Sequence, residues 1–431
     1  MRARTPLLAV LTFIALAIVI AVTAYTPALA YSGPQLSSRV VTELAFPSQG
    51  VQLTSVSPLQ PYGLLMLFTG SAGSYLALYN LSSRSYSVVN YLPPNVVPYL
   101  SPSGPYLCLS QLSKNLSSGE VYLELVYPNG TTHTVNLTTG NEVCEALAVV
   151  GNTVIASLEN PVALAIYGES PDIVAAWTIT PTGVTPGKEI SLPPGVEVVD
   201  LQAGPRGMLY GEEIKYLLTP ISNIYAFYPA IIDPHSMSLK VLSEFNQTLD
   251  LPSYEYLAVD TSLVSDSLLF HGAVFAGSSS NEAVSLQPIL VYFNLTTYVL
   301  MNVSRFLPQG TSVVGAFWSP WGIIVSDAPE TEVFGLRSTV VGVNYTSPLT
   351  FIAVWQGPIK NVTSLSGGRL IIYAGYLGGK YYLVGIRPGS DHVTIIELYE
   401  GGIKGGEIGA ALAVAVAAAI ALLVVRRQSH Q

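Results

Sequence analysis

VQLTSVSPLQPYGLLMLFTGSAGSYLALYNLSSRSYSVVNYL, residues 51–92, decides the fold. It divides into four runs, VQLTSVSPL, GLLMLFTG, SYLALYNL and RSYSVVNYL, rich in Val, Leu, Tyr or Phe and separated by Gly, Pro, Asn and Ser. β-Branched and aromatic side chains suit a pleated, half-buried surface, while Gly, Pro and Asn supply the backbone angles that turns require. The stretch therefore reads as four consecutive strands joined by short turns.

The same order recurs along the chain: an opening strand, a Gly-rich turn, a strongly apolar strand, another turn, then a strand ending in Tyr or Leu before a polar loop. Groups begin near residues 51, 99, 144, 196, 254, 311 and 360. The sixth reads SVVGAFWSP, GIIVSDA, STVVGVNYT and TFIAVWQGP. A four-stranded unit repeated about seven times is what a β-propeller requires, and a propeller hides its strand edges between blades. The expectation is an all-β chain forming a β-propeller of about seven blades over residues 31–400. Six or eight blades would also fit, because no WD or kelch signature marks the repeats. SRVVTELAF, from Ser38, is placed to complete the final blade and close the ring. Asn129-Gly130, within YPNGTTHTV, predicts a two-residue hairpin turn. The alternative architecture is a row of tandem β-sandwiches, with TPTGVTPGKEISLPPG (180–195) as a linker.

The two ends differ from this body. Arg2 and Arg4 precede an apolar run from Leu7 to about Tyr25 and a small-x-small site at Ala28-Leu29-Ala30. That pattern predicts a signal peptide over 1–30, with an uncleaved N-terminal anchor as the alternative. Ile408 to Val425 holds eighteen residues without a charge or a proline, followed by Arg426-Arg427. Such a run predicts a transmembrane helix over 408–425 behind a Gly-rich linker at 401–407, and the charge bias places residues 426–431 in the cytoplasm. The expected localisation is the cell membrane, single-pass, with most of the chain extracellular.

With its repeats and this anchor, the chain resembles the secreted, membrane-anchored, propeller-like proteins of prokaryotic surfaces. The Ala/Val/Gly-rich anchor with its two-Arg stop is similar to those of archaeal cell-envelope proteins. The resemblance covers residues 38–400 and the anchor. It implies a surface protein held to the membrane by its C-terminal helix.

Charge, asparagine and cysteine usage bear on partners and compartment. The chain carries 18 Lys+Arg against 27 Asp+Glu. Setting aside Arg2, Arg4, Arg426 and Arg427 leaves 14 basic residues against the same 27 acidic ones. An acidic body argues against nucleic acid, heparin-like polymers and anionic lipid as partners. Nine of sixteen asparagines begin N-x-[ST] sequons: Asn80, Asn115, Asn129, Asn136, Asn246, Asn294, Asn302, Asn344 and Asn361. This enrichment points to a glycosylated, exported surface, although N-x-T is also good turn-to-strand chemistry. Cys108 and Cys144 are the two cysteines. In an oxidising compartment two thiols most simply form one disulfide, the alternative being two separately buried thiols.

Motifs of chemistry are sparse. The five histidines, His133, His235, His271, His392 and His430, are scattered, and neither a G-x-S-x-G, an H-E-x-x-H nor a phosphate-binding glycine loop is present. Asp233 and His235 share a turn, where local capping is the simpler role. Asp327, Glu330 and Glu332 lie together in DAPETE and form a weak calcium candidate; a solvated acidic turn explains them more simply. Phe317, Trp318 and Trp321 in FWSPWG form a candidate binding patch for sugar or protein, with core packing as the plainer reading. No cofactor is implied. The functional expectation is a membrane-anchored, glycosylated structural or binding protein of the cell envelope, facing protein or saccharide partners. The alternative is an extracellular hydrolase with its site at the propeller mouth.

Overall fold

The computed structural model describes residues 36–400 except 103, 113–118, 139–141, 161–172, 181–182, 193–195, 204–208, 219–222, 242–255, 265–266, 277–284, 294–297, 303–310, 321, 330–349, 355–360, 366–369 and 388–389. For most strand residues between 209 and 365 the backbone alone is described. Arg39–Glu397 forms one compact unit, and its described residues lie in strands and the turns between them.

Strand β1 (Leu36–Ala45) is followed by seven groups of strands. The first holds β2 (Val51–Leu59), β3 (Gly63–Gly70), β4 (Gly73–Asn80) and β5 (Ser85–Leu92). The second holds β6 (Val96–Leu100), β7 (Tyr106–Leu112), β8 (Gly119–Val126) and β9 (Thr132–Thr138). The third holds β10 (Val143–Val150), β11 (Thr153–Glu159), β12 (Ile173–Thr180) and β13 (Gly183–Ser191). The fourth holds β14 (Val196–Ala203), β15 (Leu209–Leu218), β16 (Asn223–Asp233) and β17 (Ser238–Val241). The fifth holds β18 (Tyr256–Val264), β19 (Ser267–Ala276), β20 (Ser285–Phe293) and β21 (Tyr298–Asn302). The sixth holds β22 (Thr311–Ser319), β23 (Gly322–Pro329), β24 (Thr350–Val354) and β25 (Asn361–Leu365). The seventh holds β26 (Leu370–Leu377), β27 (Lys380–Ile386) and β28 (His392–Glu400), and β1 completes it.

Each group is one four-stranded sheet, ordered as in the sequence, except that β1 joins the seventh beside β28. The opening strands touch in a closed cycle, β2 to β6, β10, β14, β18, β22, β26 and back to β2. That cycle makes the sheets propeller-like blades rather than a row of sandwiches. Phe46 N–H donates to Asp391 O at 2.7 Å, tying the end of β1 to the start of β28.

Burial on both faces explains the continuous apolar runs. Leu64, Met66 and Phe68 of β3 pack with Val384, Val393 and Ile395 of the seventh sheet. The alternate residues Leu65 and Leu67 pack instead with Leu107 and Leu109 of the second. Period-two alternation therefore divides one strand between two cores, and no side of it is left to be polar. Each such side chain contributes roughly 1.5–3 kcal/mol on burial.

Six opening strands share a register shift near their start, at Leu53/Ser55, Cys144/Ala146, Val198/Asp200, Ala258/Asp260, Val313/Gly315 and Ile371/Tyr373. A bulge adds one residue, bends the strand and increases its twist. Its recurrence at one place in the repeat marks it as part of the blade.

Several expectations are corrected. Among the described residues no helix is long and apolar enough to cross a membrane. Residues 401–431, with the 408–425 run, and the predicted signal at 1–30 lie outside the described residues. Hydropathy and the flanking Arg426-Arg427 pair carried the anchor, and such a pattern shows what a segment can do rather than what it does. The single-pass topology, the membrane as partner, and the resemblance to membrane-anchored surface proteins that leaned on the anchor are withdrawn with it. The seventh sheet begins at Leu370 rather than near 360, because Asn361–Leu365 is the fourth strand of the sixth sheet. TFIAVWQGP supplies the third strand there, and STVVGVNYT (338–346) lies outside the described residues. Gly183–Ser191, taken as part of a linker, is the fourth strand of the third sheet. Asn129-Gly130 does not form a two-residue turn. Tyr127 N–H donates to Thr131 O and Gly130 N–H to Tyr127 O, each at 2.9 Å, which closes a three-residue loop with Gly130 at φ +82°.

Candidate functional site

Cys108 of β7 and Cys144 of β10 form a disulfide, with Cα atoms 6.3 Å apart, joining the second and third sheets. The seam is reinforced beside it. Cys144 N–H donates to Ser110 Oγ at 2.8 Å, and Trp177 Nε1 donates to Leu137 O at 3.1 Å. Both sulfurs are buried among Val121, Leu123, Val154 and Ala156.

Of the nine sequon asparagines, Asn80, Asn129 and Asn136 have described side chains, and all three are exposed. Asn80 closes β4, Asn129 sits in the β8–β9 loop, and Asn136 lies in β9. Asn129 Oδ1 accepts from Thr131 N–H at 3.0 Å and from Thr131 Oγ at 2.7 Å. Asn115, Asn246, Asn294 and Asn344 lie outside the described residues, as do the side chains of Asn302 and Asn361.

The calcium candidate lies largely outside the described residues. Asp327 lies in β23, while Glu330 and Glu332 fall outside the described residues. Among the described residues no group of three His, Cys, Asp or Glu side chains could hold a metal ion. Asp233 accepts from His235 N–H at 2.9 Å and from Ser236 Oγ at 2.8 Å. The Ser236 hydrogen bond, with that from His235 N–H, holds its carboxyl below the usual range, so Asp233 caps the β16–β17 turn. Phe317 is half-buried near the end of β22, and Trp321 and the Trp318 side chain lie outside the described residues.

A cluster missed by sequence reasoning forms where the seventh sheet meets the first. Three turns converge there: 60–62 between β2 and β3, 81–84 between β4 and β5, and 378–379 between β26 and β27. Gln60 Nε2 donates to Tyr376 O. Leu81 N–H donates to Tyr62 O at 3.1 Å. A Cβ on Gly378 would stand 3.5 Å from Pro61 O and 3.6 Å from Leu81 Cδ1, so the three turns are in contact. Gly378 and Gly379 adopt φ +56° and +78°, the left-handed pair that a two-residue hairpin needs. Asn80 shapes the next turn, its Oδ1 accepting from Ser82 N–H at 2.8 Å and Ser83 N–H at 3.2 Å. Arg84 follows at φ +54°, exposed.

The surface of this cluster is aromatic and cationic. Tyr62 is 53% and Tyr376 50% exposed, more than a packing role requires. The Tyr376 ring meets Tyr381 edge-on, with centroids 5.2 Å apart. Burial, with Tyr373 and Tyr376 nearby, pushes the Tyr381 hydroxyl far up, and burial pushes Tyr373 up to about 12. These phenols therefore stay neutral. Beside them, Glu397 accepts from Arg39 at 2.5 Å and meets Lys380 at 3.1 Å. The Tyr382 hydroxyl is raised by burial and by Glu397, while Lys380, Arg39 and Arg84 pull it down. Arg39 and Lys380 thus engage one oxygen each of the Glu397 carboxylate, and Arg84 lies near Tyr382. The arrangement can recognise a ligand; it holds no nucleophile–base pair.

The signal that would have found it lies in the repeats. Leu377 pairs with Lys380 across the β26–β27 turn as Ser319 pairs with Gly322 across the β22–β23 turn. Aligning the groups on these turns puts Tyr376 and Trp318 at one register position of neighbouring sheets.

The chain matches no family model and no curated protein. Solved structures resemble it at low identity. The β-propeller domain of the Trilobed protease from Pyrococcus furiosus shares 10% identity at a TM-score of 0.49, over 82% of this chain and 94% of that one. A chain of the Mitotic Checkpoint Complex shares 11% at 0.46, over 85% and 93%. The acylaminoacyl peptidase of Pyrococcus horikoshii shares 9% at 0.47, over 78% of this chain and 49% of that one. At such values they carry no argument about activity or partners, and the fold rests on the sheet order itself.

Proposed function

We propose that this chain is a binding protein of an oxidising, extracytoplasmic compartment, a propeller-like scaffold that presents its turns to a protein or saccharide partner. The observation that carries it is that Tyr62, Tyr376, Arg84 and Lys380, all exposed, sit on or beside three turns that are in contact. Exposed aromatics beside cations are the residues that dominate recognition surfaces, and a rigid scaffold holds them at little entropic cost. The buried Cys108–Cys144 bridge supports the oxidising compartment. The exposed sequons at Asn80, Asn129 and Asn136 support a glycosylated outer surface.

The test is a panel of immobilised glycans and peptides probed with the wild-type chain and the Tyr62→Ala/Tyr376→Ala variant, both checked for equal melting temperature. Signals lost only in the variant are the expected outcome. Identical patterns from both proteins would overturn the reading. Glycopeptide mass spectrometry of the natively produced chain checks Asn80, Asn129 and Asn136 separately.

A further inference from the structure

We infer that the seam between the seventh and first sheets holds a tetrahedral oxyanion, phosphate or sulfate, between Arg84, Lys380 and the hydroxyls of Tyr79 and Tyr382. This goes beyond the binding reading above and makes no use of Tyr62 or Tyr376. Strand order puts the four groups on one seam. Tyr79 of β4 and Tyr382 of β27 are buried in the same core between the two sheets, with Val393 and Ile395 of β28. Lys380 stands two residues before Tyr382, so its side chain shares that face, and there it meets Glu397 of β28 at 3.1 Å. Arg84 reaches the same place from the first sheet. Its N–H donates to Asn80 O at 2.9 Å, closing the turn that follows Tyr79. A Cβ on Gly378 would stand 3.6 Å from Leu81 Cδ1, so the turn leading into Lys380 touches the turn that carries Arg84.

The Tyr79 hydroxyl is the independent sign of a ligand. It is buried without a hydrogen-bond partner, although a buried phenol ordinarily finds one. Burial pushes it up, Tyr382 adds to the effect and Arg84 opposes it, so the guanidinium lies close enough to act on it. Arg84 is exposed and makes no ion pair among the described residues. Lys380 keeps 54% of its side chain exposed while paired, and an ammonium has three donors. Arg39 is engaged elsewhere as well as by Glu397 and takes no part.

The charges acting on Tyr382 are Glu397 against Lys380, Arg39 and Arg84, which makes the seam positive in a chain of net charge −9. A guanidinium fork from one turn, an ammonium from the next strand and two hydroxyls from the core approach from different directions. A planar carboxylate cannot meet them all, whereas the oxygens of a tetrahedral anion accept along separate axes. Tyr79 is covered as the seam stands, so an entering ion displaces a side chain, and the long exposed arm of Arg84 has the rotamer freedom for that.

The measurement is made in a Ser82→Ala background, which removes the sequon at Asn80 and leaves the backbone N–H donors of its cap intact. Calorimetric titration at low salt uses inorganic phosphate, inorganic sulfate, galactose 6-sulfate and acetate. Saturable one-site binding of phosphate or sulfate is expected, at least ~10-fold tighter than acetate and weakening as chloride is added. A sugar ester that binds more tightly than the free ions places the group on a saccharide, and the reverse order makes the ion itself the ligand; either order keeps the inference. Arg84→Asn keeps a residue tolerant of positive φ and removes the charge, and it is expected to weaken the anions ~10-fold, as is Lys380→Gln. Tyr79→Phe separates binding from packing. Loss of an unpaired buried hydroxyl should leave the melting temperature of the free chain unchanged or higher, yet weaken the anions ~3-fold or more. The Tyr62→Ala/Tyr376→Ala variant should bind the ions as its parent does, so failure of this inference and failure of the binding reading are separate results. No saturable heat with either ion, or acetate bound as tightly, overturns the inference. Titrations that Arg84→Asn and Tyr79→Phe leave unchanged also overturn it, as an adventitious ion only.

Discussion

Arg39 of β1 donates to Glu397 of β28 at 2.5 Å, across 358 residues of sequence. The contact pins β1 to β28 and so holds the seventh sheet closed. Burial pushes the Glu397 carboxyl up, but the hydrogen bonds and charges of Arg39 and Lys380 outweigh it and hold the group below the ordinary value. The folded state therefore binds fewer protons than the unfolded chain. This stability is present in full above the unfolded carboxyl value near ~4.3 and is lost as pH falls through the lower folded one. Glu397→Gln should depress the melting temperature at neutral pH, with a smaller difference in strong acid. Arg39→Ala should cost about 1 kcal/mol, no more, because the guanidinium is half exposed. An equal shift at both pH values would show that the pair contributes nothing.

The Cys108–Cys144 bridge closes a loop of 36 residues between adjacent sheets. The chain-entropy model gives roughly 3–4 kcal/mol for such a loop. Replacing both cysteines by Ala should lower stability by about that amount in denaturant titration. Trp177→Phe should cost about 1 kcal/mol more by removing the hydrogen bond to Leu137 O, which becomes an unpaired acceptor in the same seam.

Strand order was legible because strands such as β3 and β11 are buried on both faces and so read as unbroken apolar runs between turn residues. The starts at 51, 196 and 311 fall on Val51, Val196 and Thr311. Legibility failed where composition ran ahead of pairing. STVVGVNYT has the residues of a strand and filled the third place of the sixth group, which moved NVTSL into the wrong sheet. The bulges did not stand out: five of the six skipped residues, Thr54, Val199, Val259, Val314 and Ile372, are β-branched, as are many residues of the strands around them. The tyrosine and cation patch was hidden for another reason. Its turns are separated by about three hundred residues, and only ring closure brings them together.

Glu124 of β8 is buried, with Asn90 Nδ2 at 3.2 and 3.3 Å from its two oxygens. Burial pushes its carboxyl up, and the Asn90 hydrogen bond offsets this in part. Here the sign is opposite to Glu397: the folded state binds more protons, so the group costs stability as pH rises through the carboxylate range. Glu124→Gln keeps an acceptor for Asn90 and removes the charge. It should raise the melting temperature at pH 7 and leave it unchanged near pH ~2, well below the ordinary glutamate value of about 4.3, where the acid is neutral in both states. A loss of stability at neutral pH would mean that the charge is held by more than Asn90.

Gly63 and Gly130 separate two reasons for glycine. At Gly130 a Cβ would meet nothing within 4 Å, and the constraint is φ +82° alone. Gly130→Ala should therefore cost about 1 kcal/mol. At Gly63 the backbone angle is ordinary, but a Cβ would stand 1.9 Å from Tyr79 O, a backbone atom that cannot swing aside. Relief requires β3 and β4 to part at the point where Tyr62 O accepts from Leu81 N–H. Gly63→Ala should cost about 3 kcal/mol or more, and the chain that still folds should have displaced turns at 60–62 and 81–84. Binding of any ligand found in the glycan and peptide panel should then fall in Gly63→Ala and persist in Gly130→Ala, measured on the folded fraction. Retained binding in Gly63→Ala would show that recognition does not depend on the registry of those two turns.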